Sequence, residues 1–135
     1  HLFNEDVRFK PAGADALKRR LSALAKKHKR KLGEVNYIFC SDEYLFELNK
    51  AYLNHKTYTD IITFEYSTDR EILSDIFISV DRVKDNAKKF GVPFTLEIQR
   101  VMAHGMLHLL GYKDKTPADK KKIRKAEEEF LRGRK

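Results

Sequence analysis

The chain has 135 residues, 41% apolar and 36% charged, with a formal net charge of +8, the size and balance of one ordinary domain with a hydrophobic core and a heavily charged surface. No apolar run approaches the ~20 residues of a membrane span, and the opening "HLFNEDVRFK" is charged where a secretory signal would be apolar. The single cysteine, Cys40 in "VNYIFC", excludes an internal disulfide, and a buried, reduced thiol there fits a cytoplasmic location.

In chain order, "LFNEDVRF" predicts a short strand, punctuated by Pro11 and Gly13. From Ala14 to Lys31, Leu17, Leu21, Leu24 and Ala25 recur at helical spacing, with His28 on the same stripe and Gly33 as the stop. Residues 11–32 hold eight Lys or Arg against one acid, Asp15. Charge so concentrated fits a polyanion, nucleic acid or an anionic membrane surface; it fits a solvated helix face equally well. "EVNYIFC" (34–40) is expected to be a strand. Ser41, Asp42 and Glu43 then form the cap and acidic first turn of a helix to about Tyr52, with Tyr44, Leu45, Leu48 and Tyr52 inward.

Residues 53–58 are expected to form a loop. "TDIITFEY" (59–66) and "ILSDIFISV" (72–80), rich in β-branched and aromatic residues, predict two strands. Asp81 is placed as the cap of a helix from about Arg82 to Phe90, ended by Gly91. After Pro93, "FTLEIQRVMAHGMLHLL" predicts a long helix stopped by Gly111. Thr116, Pro117 and Asp119 start a last helix with Ile123, Ala126, Phe130 and Leu131 inward and its charged block on the surface. The expected fold is a single α+β domain over 1–135, with a mixed sheet of about three to four strands packed by about five helices.

The feature with most chemistry lies on the long helix. His104 and His108, four apart, share one face. Gly111 turns the chain back, and Asp114 falls where it can supply a third ligand. Two imidazoles and one carboxylate leave a position open on a metal such as zinc, the hallmark of a catalytic rather than a structural site. Two histidines four apart also arise by chance. Against chance stand the apolar surroundings, in which imidazoles need partners, and the spacing of Gly111 and Asp114. Gly105, inside the helix, costs about 1 kcal/mol relative to alanine, so close approach of a substrate or of backbone is a candidate compensation. It also occupies the position where H-E-x-x-H peptidases keep their general base, which disfavours a protease. Water activation would then fall to the metal. Asp60 is a candidate assisting carboxylate; Glu97, another, is expected to be an ordinary exposed helix residue.

With "HGMLHLLGY" (104–112), "ELNKAYLNHKTYTDIITF" (47–64) and "SDIFISVDRVKDNAKKFG" (74–91) in the same order, the chain resembles the YbeY family of bacterial endoribonucleases, the ribosomal RNA maturation factors. The resemblance implies a cytoplasmic, single-strand-specific, metal-dependent endoribonuclease with one zinc ion per chain. It also implies action on the 3′ end of small-subunit ribosomal RNA and in ribosome quality control. His104 and His108 carry over as ligands. The usual third histidine stands here as Asp114, whose oxygen zinc accepts, at the expense of some Lewis acidity and with a possible change of metal preference. The family arginine thought to face the phosphate is replaced by Leu53; Lys56, His55 and Arg100 are its candidate substitutes, each otherwise a solvated surface residue. The glycine before the aspartate of the third block is replaced by Ser74.

The expected activity is hydrolysis of an RNA phosphodiester by metal-activated water. His104, His108 and Asp114 act through the metal, with Asp60 assisting. Lys18, Arg19, Lys26, Lys27, Arg30, Lys56 and Arg100 are the candidate RNA contacts. The expected partners are RNA and the ribosome or its small subunit, with no membrane partner and a monomeric chain. The rival is a non-catalytic ribosome-assembly factor with a structural metal, which Leu53 and the absent glutamate favour.

Overall fold

The computed structural model describes residues 1–53 and 57–133. Its elements in chain order are β1 (Leu2–Asn4), α1 (Ala14–Lys27), β2 (Leu32–Cys40), α2 (Asp42–Leu53), β3 (Ile61–Glu65), β4 (Ile72–Ser79), α3 (Val80–Phe90), α4 (Phe94–Leu109) and α5 (Pro117–Arg132). The four strands form one mixed sheet in the order β1-β2-β4-β3. β1, β2 and β4 run parallel, and β3 pairs antiparallel to β4. The expected mixed sheet and five helices are therefore present.

The period of two along the strands divides the sheet into faces. Val35, Tyr37 and Phe39 of β2 lie beside Ser74, Ile76 and Ile78 of β4 and face the main core with α1 and α4. Cys40, Ile62, Phe64 and Phe77 point the other way, where Leu45, Tyr44 and Leu48 of α2 cover them. Cys40 is buried and donates weakly to the Ile78 carbonyl at 3.5 Å, and burial pushes its thiol up to about 12. On the core face α4 contacts α1, α3, α5 and the strands β3 and β4. The Tyr37 hydroxyl ties α4 to β2 by donating to the Met102 carbonyl at 2.8 Å.

Four local expectations need correction. Helix α1 ends at Lys27, not near Lys31: Lys29 takes φ 57 and the Arg30 amide closes back on Ala25 at 3.1 Å. Gly33 is accordingly no helix stop but part of β2, where an added Cβ would lie 2.7 Å from Leu73 Cδ2 and 2.9 Å from the Glu71 carboxylate, so the ends of those two side chains would have to shift. The cap of α3 is Ser79 rather than Asp81, its hydroxyl accepting from the Arg82 amide at 3.1 Å. In α2, Tyr44, Leu45 and Leu48 face inward as expected and Asn49 joins them, but Tyr52 is 70% exposed. Asn49 draws the helix round by donating to the Thr57 carbonyl at 2.9 Å.

Candidate metal centre

Two stripes run along α4. Ile98, Val101, Met102, Gly105, Met106 and Leu109 are buried at helical spacing and pin the helix to the core. Between them Glu97, Arg100, His104 and His108 form a second row at intervals of three and four. Gly105 lets the helix settle: a Cβ there would meet Ile61 Cδ1 at 3.0 Å and Ile76 Cδ1 at 3.3 Å. The close neighbours that compensate for this glycine are thus side chains of the sheet, not substrate or backbone.

Leu110 caps the helix and Gly111 follows at φ 104, a conformation that suits glycine. The Tyr112 amide returns to the Leu107 carbonyl at 3.0 Å. This turn brings Asp114 back over the histidines. His104 Nε2 lies 2.9 Å from His108 Nε2 and 3.8 Å from Asp114 Oδ2, and the three side chains offer donor atoms within 4.8 Å of one another.

The far side of each imidazole decides what the near side can do. His108 Nδ1 donates to the Tyr112 carbonyl at 3.0 Å. His104 Nδ1 donates to Glu127 Oε2 of α5 at 2.5 Å. A carbonyl and a carboxylate only accept, so in the neutral rings both protons sit on Nδ1 and both Nε2 lone pairs converge. Two lone pairs 2.9 Å apart repel unless a cation lies between them. With the Asp114 oxygen they make an N2O donor set that fits a tetrahedral transition metal and leaves one position open.

A buried ionic chain lies behind His104. Arg100 Nε donates to Glu97 Oε1 at 2.9 Å, Nη2 donates to Glu97 Oε2, and Nη1 donates to Glu127 Oε1 at 2.9 Å. Glu97 is 2% exposed and Glu127 1% exposed, so neither is the surface residue the sequence suggested. Burial alone would raise the Glu127 carboxyl, but the hydrogen bonds and charges of His104 and Arg100 outweigh it and hold it below its ordinary value. Burial, followed by the neighbouring His104, lowers the proton affinity of His108. The hydrogen bonds that Arg100 donates to the two glutamates keep it firmly charged.

The remaining candidates separate clearly. Asp60, half-buried just before β3, has its carboxyl raised by burial, against the opposing charges of His104 and Arg100. Arg100 turns inward to glutamates and does not replace the family arginine as a solvated cation. Leu53 ends α2 and is exposed. Lys18, Arg19, Lys26 and Lys27 are exposed along α1, and Arg30 is half-buried beyond it. His55 and Lys56 lie outside the described residues.

Sequence reasoning missed Glu127. The available signal was its place four residues after Ile123 and three before Phe130, on the inward stripe of α5. His28 also gains a place: its Nδ1 donates to the Leu24 carbonyl at 3.0 Å, and its Nε2 accepts from the Tyr112 hydroxyl at 3.0 Å. His28 and Tyr112 line two adjoining cavities of about 370 and 410 Å³, which also carry Lys27 in the first and Lys113 and Lys122 in the second. Lys27 of α1 and Lys122 of α5 thus border the grooves on either side of Tyr112.

A family model described as Endoribonuclease YbeY matches residues 4–135. A protein named endoribonuclease YbeY from Flavobacterium johnsoniae is 50% identical over 129 residues, covering 96% of this chain and 93% of its own length. Its namesake from Cytophaga hutchinsonii is 48% identical over 134 residues, covering 98% and 94%. The solution structure of TM1509 from Thermotoga maritima is similar with a TM-score of 0.68 at 25% identity, over 96% of this chain and 85% of that one.

Proposed function

From its membership of the endoribonuclease YbeY family, to which this chain belongs, we propose that the protein is an endoribonuclease that hydrolyses phosphodiester bonds in single-stranded RNA with one transition metal ion. Zinc is the first candidate, held by His104, His108 and Asp114. The observation that carries the reading is the pair of Nε2 lone pairs aimed at one point, each fixed there by a hydrogen bond from its own Nδ1. A bound metal supplies Lewis acidity at a phosphoryl oxygen and activation of water.

The chain's own residues do the rest. Burial and His104 disfavour the protonated form of His108, which keeps it available as a neutral ligand. Asp60, whose carboxyl is raised by burial against the opposing charge of His104, is our candidate to take the proton of the attacking water. Asp114, the most exposed of the three ligands, borders the open side where RNA enters. The cations of α1, with Lys27 at the groove leading to Tyr112, guide the RNA backbone. A structural metal would call for a closed fourth position, and the three-donor set offers none among the described residues.

The substrate we assign is ribosomal RNA, at the 3′ end of the small-subunit molecule, processed in the cytoplasm by a monomer working on the ribosome or its small subunit. The test is incubation of zinc-loaded protein with single-stranded RNA beside His108→Ala. Cleavage by the wild type alone is expected, and equal cleavage by both would sink the catalytic reading. Elemental analysis should find about one metal per chain, lost in His104→Ala/His108→Ala; metal retained by that variant would place the site elsewhere.

A further inference from the structure

We propose that Glu127, anchored by Arg100, is a positioning residue that fixes the tautomer of His104 and so keeps the metal site open before any metal arrives; the proposal rests on the metal reading above. A neutral imidazole carries one proton, on either nitrogen, so His104 without Glu127 has two states to choose from. With the proton on Nε2, His104 would donate it to His108 Nε2, which lies 2.9 Å away. That internal hydrogen bond satisfies both rings and consumes both lone pairs that a metal needs. It is the competing state of the site.

Glu127 excludes this state. Its Oε2 accepts from His104 Nδ1 at 2.5 Å, which requires the proton on Nδ1 and leaves the lone pair on Nε2. The carboxylate cannot turn away, because its Oε1 is held by Arg100 Nη1 at 2.9 Å. Arg100 is held in turn, its Nε and Nη2 both donating to Glu97. The four side chains alternate acceptor and donor: Arg100 donates to both Glu97 and Glu127, and Glu127 also accepts from His104. His108 needs no such device, since the Tyr112 carbonyl 3.0 Å from its Nδ1 sets its tautomer through the backbone.

Glu127→Gln keeps the shape and reverses the logic. Arg100 holds the amide oxygen, so the amide NH2 faces His104 Nδ1 and favours the proton on Nε2. Nitrogen-15 NMR of the metal-free protein is expected to find the His104 proton on Nδ1 in the wild type and on Nε2 in Glu127→Gln. Zinc affinity, measured by competition with a chelator, is expected to fall at least about 10- to 100-fold, the usual range for loss of an outer partner of a ligating histidine. Arg100 keeps its ion pair with Glu97 in that variant, so the metal-free protein should still unfold cooperatively, and a loss of zinc affinity then reports on the site rather than on folding. A wild-type His104 protonated on Nε2 overturns the proposal without any variant. Zinc binding by Glu127→Gln as tight as that of the wild type overturns it while the metal reading stands. A wild type that takes up no zinc removes the metal reading, and the proposal with it.

Discussion

Helices α1 and α4 both carry charge into the functional region, in opposite ways. On α1, Lys18, Arg19, Lys26 and Lys27 all stand in solvent, while Leu17, Leu21 and Ala25 face the core. On α4 the polar row Glu97, Arg100, His104 and His108 turns inward, and α5 closes over it with Glu127. Solvated charges interact weakly with one another and are free to meet a partner. Buried charges are committed to each other, and each fixes its neighbour's geometry. One helix is a surface for recruiting; the other is a mould for a site.

The comparison breaks most easily at Arg100. Replacing it with leucine leaves Glu97 and Glu127 as buried carboxylates without their shared cation, and loss of one member of such a set costs about 3–5 kcal/mol. Urea unfolding of the metal-free protein should show that loss. A change under about 1 kcal/mol, the range of exposed pairs, would mean that water reaches the glutamates and that α4 is no better sealed than α1.

Next in size is His108→Ala. It removes a ligand rather than a ligand's support, so cleavage of single-stranded RNA should fall more than about 100-fold, beyond the range for outer partners. Stability of the metal-free protein should change far less, since the half-buried ring borders the open site. Gly105→Ala tests the other side of the helix. Alanine gains about 1 kcal/mol in helix propensity, but its Cβ would press on Ile61 and on the fully buried Ile76, and overpacking typically costs about 1–3 kcal/mol. A net loss of about 1 kcal/mol is expected in the same unfolding experiment; a more stable variant would show that the sheet yields there.

What could be read from the chain follows the same division. His104, His108, Gly111 and Asp114 lie within one helix end and its turn, so local spacing was enough to bring them together. The strands and helices were legible from periodicity, as in β4, where Ile72, Ile76 and Ile78 alternate with half-buried neighbours. Glu127 is 23 positions from His104 and 27 from Arg100. Its role exists only once α5 packs on α4, and in sequence it is one glutamate of three in a charged block. Gly33 misled for a related reason: it resembles a helix stop locally, whereas its place in β2 is set by pairing with β4, about 40 residues on. Charges that point outward keep the meaning they have in the sequence. Those that point inward acquire theirs from elements far along the chain.

The smallest effect expected is on α1, and it is also the most diagnostic of the outward helix. Lys26 and Lys27 are exposed in its last turn, and Lys27 lines the groove that leads to Tyr112. If they contact RNA phosphates, Lys26→Gln/Lys27→Gln should weaken binding of single-stranded RNA several-fold without altering zinc content or melting temperature. The dependence of log K on log salt should also flatten by about 0.7 for each phosphate that is no longer neutralised, about 1.4 for two. The same pair of substitutions should leave His104 and His108 unaffected, because the network behind them draws its charges from α4 and α5. An unchanged salt slope would reduce α1 to a solvated face and move the search for the RNA path to Lys113 and Lys122, which line the adjoining cavity.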